Sequence, residues 1–285
     1  IGVITVEGEI TEGAVASGRA SADLIVPLIQ QAQADSSMKA LVVQINSPGG
    51  SAVASEKIRD ALMDFRASGR PVVAYFGNMA ASGGYWVSTA AQKVVSNPLS
   101  ITGSIGVFGI IPSFERVADR AAIGVYSAKT EPKGISSSML ARASEAVMAA
   151  ARLQVEDTYT KFLDRVASAR GMTPDSVDKV GQGRVWTGRQ AKERGLVDDL
   201  GTFRDAVELA AALAGLKEDA VVQYLEPEGS KDVSDIVLSN VLSSEFAPAW
   251  LKNAWSSFMA MPDVAALEED GRGIAICAMM PWRLH

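Results

Sequence analysis

Aliphatic runs that end in a small-residue turn recur along the first half of this sequence, and this repetition limits the fold more than any other feature. One run, 40–46, ends at Ser47-Pro48-Gly49-Gly50 and precedes a stretch with helical character. A second run, 71–76, ends at residues 78–84 and again precedes a helix-like stretch. Strands that alternate with helices at this spacing are typical of a parallel sheet with crossover helices. The sequence therefore predicts an α/β fold.

Ser82 lies in the second turn and is the candidate nucleophile. Its neighbours are small: Ala80, Ala81, Gly83 and Gly84. An extended peptide can approach such a turn closely, and glycine adopts backbone angles that other residues resist. In parallel sheets functional groups gather at the carboxyl ends of the strands, so we expect the two turns to face one another across one crevice. The alternative is that the small residues only let a strand and a helix pack tightly.

Backbone amides of the two glycine turns are candidate oxyanion donors. Attack on a peptide carbonyl creates a negatively charged oxygen, which preorganised N–H groups stabilise without rearrangement. We assign one donor to Gly83, beside the candidate nucleophile, and the other to Gly49 or Gly50. The alternative is a plain turn into a helix. Nucleotide binding is not predicted, because neither a Gly-Lys-Ser/Thr sequence nor a G-x-G-x-x-G pattern follows a strand.

The scarcity of histidine and cysteine restricts the catalytic chemistry. The one histidine is the last residue, His285, and the one cysteine is Cys277. A Ser-His-Asp triad and a histidine-based metal site are therefore not predicted within this chain, and no metal or cofactor is expected. A serine hydrolase built here needs another base, and a lysine whose pKa falls on burial is the usual substitute.

Candidate lysines lie in a polar loop downstream of Ser82. The loop covers residues 125–138, and it holds Lys129 and Lys133. Lys129 or Lys133 is therefore the best candidate within the chain for the general base. The alternative is that this loop is only a solvated surface segment.

A glycine-spaced segment of small and apolar residues, 97–111, lies between Ser82 and that loop. It is a candidate wall of a substrate groove, with Thr102 and Ser104 helping to position a peptide. The alternative is a core strand that bends at its glycines.

Composition and length exclude some classes of function. The chain has 285 residues, a hydrophobic content of 48% and a net charge of −6, so it can bury a core and shows no basic footprint for nucleic acid. No stretch reaches the about 20 apolar residues of a membrane-spanning helix. We predict a catalytic domain over 1–215 and an appendage over 216–285 that contacts another subunit. Because the sequence opens directly on a strand-like run without an initiator Met, it is expected to be a fragment.

Four ordered motifs resemble those of the signal peptide peptidase A family, the Ser/Lys peptidases of the ClpP/crotonase fold. They are Asn46-Ser47-Pro48-Gly49-Gly50, Met79-Ala80-Ala81-Ser82-Gly83-Gly84-Tyr85, Leu99-Ser100-Ile101-Thr102-Gly103-Ser104-Ile105-Gly106-Val107 and Gly183-Arg184-Val185-Trp186-Thr187-Gly188-Arg189-Gln190-Ala191. The resemblance implies a repeated β-β-α core with crossover helices and a C-terminal helical appendage. It also implies that Ser82 is the nucleophile, that a lysine is the base and that subunits assemble into a bowl. The tail resembles the end of the long, double-domain form, so the chain is similar to its C-terminal half.

The resemblance leaves the source of the lysine open. Short forms carry it about fifty residues downstream of the serine, and here 133 − 82 = 51, so the resemblance implies Lys133 as the first choice and Lys129 as the second. The motif around Lys133 lacks the usual Ser-Gly. Long forms take it from the N-terminal half, which this sequence does not contain. The implied substrates are signal-peptide remnants. The implied location is the bacterial inner membrane, with the catalytic part facing the periplasm and the membrane attachment supplied by segments outside this chain.

Two other functions are alternatives to that of a peptidase. A crotonase-like acyl-CoA enzyme also uses paired backbone donors, but it needs a carboxylate near the second turn, where this chain has the hydroxyl of Ser82. A catalytically incomplete assembly subunit would leave Ser82 unreactive.

Overall fold

Aliphatic strands build one large, mainly parallel sheet in the computed structural model, which describes residues 1–13, 18–124, 139–140, 143–217 and 220–226. The described strands are β1 (Gly2–Glu7), β2 (Glu9–Thr11), β3 (Arg19–Ser21), β4 (Leu41–Ser47), β5 (Val72–Ala81), β6 (Lys93–Ser96), β7 (Ile101–Gly103), β8 (Val185–Thr187), β9 (Asp199–Leu200) and β10 (Gln223–Tyr224). Strands β2 and β3 pair with each other in a separate two-stranded sheet, and the other strands belong to the large sheet. The described helices are α1 (Ala22–Ala34), α2 (Ala52–Ala67), α3 (Gly83–Ser88), α4 (Glu115–Arg120), α5 (Glu145–Arg170), α6 (Pro174–Val180), α7 (Gly188–Glu193) and α8 (Phe203–Leu213). The predicted α/β class is confirmed.

The central strands of the sheet are buried on both faces. Its main path runs β10-β1-β4-β5-β6-β9, with β7 paired to β5 and β8 paired antiparallel to β7. Successive side chains of a strand point to opposite faces, and β4 shows the result. Val43 and Ile45 pack into the larger core with α1 and α2, while Val42 packs into a smaller core with α8. This two-sided burial explains why β4 reads as a continuous aliphatic run.

Strand β5 is longer than the sequence predicts. The aliphatic content predicts a strand over 71–76 and a turn over 78–84, whereas β5 runs without a break to Ala81. The strand leaves β4 after Phe76, bulges, and rejoins it where Ala80 pairs with Ser47. Its last three residues also pair with β7. The predicted start of the turn is therefore wrong. Pairing with β7, which comes later in the chain, keeps residues 79–81 extended.

Helix α3 begins earlier than predicted. The sequence places a helix-like stretch over 85–91, but the helix starts at Gly83, directly after Ser82. The sequence also predicts helices over about 52–68 and over 144–170, and α2 and α5 lie within one residue of those bounds. Gly171, with φ 63°, caps the C-terminal end of α5. Ser82 alone thus connects β5 to α3.

Most of the predicted appendage, 216–285, lies outside the described residues. Strand β10, from its first part, pairs with β1 and extends the sheet. The division between residues 215 and 216 stays a prediction.

Candidate active site

Ser82 occupies a strained position between a strand and a helix. It follows the last residue of β5 and precedes the first of α3, with φ 51° and ψ −117°. Residues with a β-carbon rarely adopt a positive φ, and strain of this kind clusters at functional sites. Two backbone hydrogen bonds hold it: the Ser82 N–H donates to the Gly103 carbonyl at 3.0 Å, and its carbonyl accepts from the Trp86 N–H at 2.9 Å. A partly exposed serine is thereby fixed at the carboxyl end of β5.

The Gly49 turn faces Ser82 directly, as the sequence predicts. Gly49 has φ +101°, and a Cβ atom built on it would lie 2.6 Å from the Gly83 nitrogen and 2.7 Å from the Ser82 Cβ. Gly50 has φ +151°, and a Cβ atom on it would lie 2.1 Å from the Ile10 carbonyl oxygen. Only glycine fits at these two positions, since both the backbone angles and the space exclude a side chain.

Strand β2 holds the glycine turn in place. The Ile10 N–H donates to the Gly49 carbonyl and the Ile10 carbonyl accepts from the Ser51 N–H, both at 2.8 Å. Ile10 is fully buried, so this clamp on the two peptide groups that flank Gly50 is shielded from water. Sequence patterns do not reveal the part of Ile10, because the strand that carries it lies about forty residues upstream of the turn.

The two candidate donors of the turn differ in what their N–H groups do. The Gly49 N–H donates to the Ser47 Oγ at 3.1 Å, so it is already engaged. In the ranges that the structure describes, the Gly50 N–H has no protein acceptor. The N–H of Gly83, the first residue of α3, has no partner within the helix. A Cβ atom on Gly83 would lie 3.2 Å from the Gly50 nitrogen. Gly50 and Gly83 are therefore neighbours suited to bind one oxyanion.

Thr102 and Ser104 flank the residue that holds Ser82. The Thr102 side chain is fully buried and its hydroxyl donates to the Ala80 carbonyl at 2.7 Å. Ser104 has φ 49°, and its N–H donates to the Arg184 carbonyl at 2.7 Å. These contacts fix β7 between β5 and β8. A part for Thr102 and Ser104 in a substrate groove stays a prediction.

The candidate bases Lys129 and Lys133 lie outside the described residues. Of the described lysines, Lys57, Lys93, Lys161 and Lys192 pair with carboxylates, and Lys39 donates to the Ser36 carbonyl. No lysine of the described ranges hydrogen-bonds to Ser82. The choice of base therefore stays as open as the sequence leaves it.

Neither a metal site nor a membrane-spanning helix is found in the described residues. No cluster of three or more His, Cys, Asp or Glu side chains there could hold a metal ion. No helix of that part combines the length and the apolar character that crossing a bilayer requires.

Comparison with known proteins places the same residues in a peptidase family. The model of Peptidase family S49 matches residues 64–217, which include Ser82. The chain is 41% identical over 267 residues to "Protease 4" of Salmonella typhi, covering 93% of this chain and 42% of that protein. It is 36% identical over 216 residues to "Putative protease slr0021" of Synechocystis sp., covering 75% of each.

Among solved structures, the chain is similar to a ClpP1 mutant from Listeria monocytogenes. The TM-score is 0.46 at 16% sequence identity, over 72% of this chain and 94% of that one. The chain spans less than half the length of the Salmonella typhi relative. The family match covers more than half of the chain itself, from α2 to the residues after α8. The chain belongs to peptidase family S49.

Proposed function

We propose that this chain carries the nucleophile of a serine peptidase that cleaves extended apolar peptides through an acyl-enzyme. The observation that carries the proposal is the juxtaposition of a strained, partly exposed Ser82 with the N–H groups of Gly50 and Gly83. The family match supports the reaction class. The geometry resembles other serine hydrolases in which the nucleophile sits on a strained turn between a strand and a helix.

In the first half of the reaction the Ser82 Oγ gives its proton to a neutral lysine and forms a bond to the scissile carbonyl carbon. The carbonyl oxygen takes up the electron pair and becomes an oxyanion, which the Gly50 and Gly83 N–H groups bind. When the oxyanion collapses, the C–N bond breaks and the leaving amine takes the proton from the lysine ammonium. Removing one such donor typically costs about 3 kcal/mol of transition-state stabilisation.

In the second half water replaces the amine. The lysine, now neutral again, accepts a proton from the water as its oxygen attacks the acyl ester of Ser82. The second tetrahedral intermediate uses the same two donors. Its collapse releases the peptide acid and returns the proton to the Ser82 Oγ.

The lysine must be neutral to act as a base, and burial lowers the pKa of an ammonium for that purpose. The candidates within the chain are Lys133 and then Lys129. The alternative is a lysine from an N-terminal half that is not part of this sequence, in which case this chain alone is a catalytically incomplete half.

The proposed substrate class is signal-peptide remnants, and the proposed site of action is the periplasmic side of the bacterial inner membrane, reached through segments outside this chain. Both follow from the motif resemblance. Cleavage of an apolar signal peptide and of a polar peptide of equal length, compared side by side, tests the substrate class. Equal rates for the two peptides would contradict it.

We further propose that copies of the chain assemble into a homo-oligomer. Several large apolar side chains are exposed on the segment after β7 and on the helices that follow, including Phe108, Ile110, Val117 and Leu153. A cavity of about 1060 Å³ lies between residues of 109–117 and α5. Extended apolar surface of this kind marks interaction sites. Phe108→Ser is expected to lower the mass measured by analytical ultracentrifugation, and an unchanged mass would contradict the use of this surface.

The reaction itself is tested by replacing the nucleophile. Ser82→Ala is expected to abolish peptide cleavage while the circular dichroism spectrum and melting temperature stay close to those of the parent. Ser68→Ala, at the far end of α2, is the matched control and is expected to keep full activity. Undiminished cleavage by Ser82→Ala would overturn the proposal. The assay uses the chain together with whatever upstream portion turnover requires.

A further inference from the structure

A half-buried carboxylate, Glu56, joins the two helices that begin beside the candidate oxyanion donors. Helix α2 starts just after Gly50 and carries Glu56 near its first turn, while α3 starts at Gly83 and carries Trp86 near its end. The Trp86 indole N–H donates to Glu56 Oε2 at 2.5 Å. One side-chain hydrogen bond thus spans the gap between the two helices.

Helix α5 holds both partners of this bond. The Arg165 guanidinium donates to Glu56 Oε1 from Nε at 2.9 Å and from Nη2 at 2.7 Å. Arg59, on the same helix as Glu56, donates to that oxygen at 3.3 Å. The Trp86 ring packs on Phe162 of α5, with ring centroids 4.6 Å apart. Arg165 lies 109 residues from Glu56 along the chain, so the arrangement belongs to the tertiary fold.

The Glu56 carboxylate is charged at neutral pH. Burial by itself raises the pKa of Glu56, but the hydrogen bonds from Arg165 and Trp86 outweigh it and hold the pKa below its ordinary value. Hydrogen bonds to an ionised acceptor are shorter and roughly twice as strong as neutral ones. The link between α2 and α3 is therefore a strong and directional one.

The backbones of α2 and α3 pack closely around the Gly50 and Gly83 N–H groups. A Cβ atom on Gly83 would lie 2.5 Å from the Ser55 Oγ, beside Glu56, and 3.2 Å from the Gly50 nitrogen. Ser55 is fully buried, and its hydroxyl donates to the Ser51 carbonyl at 2.8 Å. A shift of α3 against α2 therefore changes the separation of the two N–H groups directly. Misplacement by about 1 Å at such a site can cost about 100-fold in rate.

We propose that Glu56 is a positioning residue that, by holding Trp86, sets the separation of the Gly50 and Gly83 N–H groups at the value an oxyanion requires. The inference rests on the proposed peptidase function, since it needs the two N–H groups to act as donors. Glu56 touches no reacting atom. It acts through Trp86 and the first turns of α2 and α3.

Trp86→Phe tests the inference, because it keeps an aromatic ring against Phe162 and removes the N–H. Tyr159→Phe is the matched control. It removes a second aromatic donor that binds a carboxylate, the Tyr159 hydroxyl on Asp178 at 2.6 Å, from the helix that carries Arg165. For Trp86→Phe we expect kcat to fall about 10- to 100-fold with KM within about twofold of the parent. For Tyr159→Phe we expect a lower melting temperature with unchanged kcat.

A tetrahedral inhibitor supplies a readout that a purely structural role would not change. A peptide boronate bonded to Ser82 presents an oxygen to the donors, so its affinity for Trp86→Phe is expected to fall by the same factor as kcat. Glu56→Gln keeps the shape and one acceptor oxygen but loses the charge, and it is expected to give a smaller loss of both quantities. Glu56→Gln also serves as the test protein if Trp86→Phe does not fold.

Two results would overturn the inference. One is a kcat and boronate affinity like those of the parent in both Trp86→Phe and Glu56→Gln. The other is an equal loss in Tyr159→Phe. Failure of the proposed peptidase function gives a different result from failure of the positioning role. If the peptidase function is wrong, Ser82→Ala retains turnover. If only the positioning role is wrong, Ser82→Ala loses activity while Trp86→Phe behaves like the parent. All measurements use the full chain with any upstream portion that turnover requires.

Discussion

Gly49 lies against Ser82 so closely that a Cβ atom on the glycine would be 2.7 Å from the Cβ of the serine. The two residues come from successive strand-turn-helix units, and the parallel pairing of β4 with β5 brings them to the same edge of the sheet. The same hypothetical atom would lie 2.6 Å from the Gly83 nitrogen. The proposed nucleophile and the proposed donors thus share one small space that has no room for another side chain.

Gly49→Ala is expected to abolish activity while leaving most of the fold intact, because the added methyl group pushes the Gly49 turn away from Ser82. Gly69→Ala is a matched control. Gly69 also has a positive φ, +83°, but a Cβ atom there would meet nothing within 4 Å. It is expected to lose about 1 kcal/mol of stability through backbone strain and to keep its kcat. Steady-state kinetics and urea unfolding of both variants check this, and an active Gly49→Ala would contradict the geometry.

Thr102→Val is expected to lower both stability and rate. The substitution keeps the shape of a fully buried side chain and removes the hydrogen bond to the Ala80 carbonyl, at a cost of about 1 kcal/mol. The rate is expected to fall severalfold, since β7 holds Ser82 through the Gly103 carbonyl. Thr158→Val, which removes a hydroxyl bonded to the Gln154 carbonyl on the exposed side of α5, is the control for kcat. A fully active and stable Thr102→Val would count against this support of the site.

Asp198 is expected to make stability depend on pH. Burial raises its pKa, but hydrogen bonds from the Arg170 guanidinium and the Val94 N–H, at 2.7 and 2.8 Å, outweigh that effect and leave the pKa lowered. A carboxyl with a lower pKa in the folded state stabilises the fold above its unfolded pKa, about 4, and loses that contribution as the pH falls through the folded value.

Asp198→Asn is therefore expected to cost about 2 kcal/mol of unfolding free energy at pH 7, with the difference from the parent shrinking below pH about 4. Urea unfolding at a series of pH values measures it. Asp157→Asn, which breaks an exposed pair with Lys161 on α5, is the control and is expected to show no measurable loss. A difference that stays constant or grows toward acid pH would contradict the assignment.

The two candidate bases, Lys133 and Lys129, are expected to behave differently. Lys133→Ala should reduce kcat about 10²- to 10⁴-fold if it is the base, and Lys129→Ala should leave kcat near that of the parent. Kinetics against a peptide substrate decide between them. If neither substitution changes kcat, neither lysine is the base. Turnover that appears on adding an N-terminal half would then show that the half supplies the base.

The sequence predicts local features of this site better than its long-range ones. Helices α2 and α5 follow from residues that lie close together along the chain. The facing of the two turns follows from the general rule that parallel strands end at the same edge of a sheet. The extension of β5 to Ala81 depends on β7, and the clamp on Gly50 depends on Ile10. Both are contacts between distant segments, which a pattern of residues does not encode.

The same limit applies to Glu56 and to the strain at Ser82. In the sequence, Glu56 is only one of several charged residues on a predicted helix. The tertiary fold brings Trp86 and Arg165 into contact with it. The positive φ of Ser82 is unusual for a residue with a side chain, so the small neighbours predict a tight turn but not its backbone angles. The family motifs point to Ser82, and the fold explains how its conformation is held.

The assignment of Ser82 as the nucleophile is tested most directly by identifying the serine that becomes covalently modified. The protein is treated with a serine-reactive fluorophosphonate, digested and mapped by mass spectrometry, with Ser82→Ala treated in parallel. We predict a single stoichiometric adduct on the peptide that contains Ser82 and none in the variant. An adduct on another serine, or peptide hydrolysis that continues with Ser82 unmodified, would contradict the assignment.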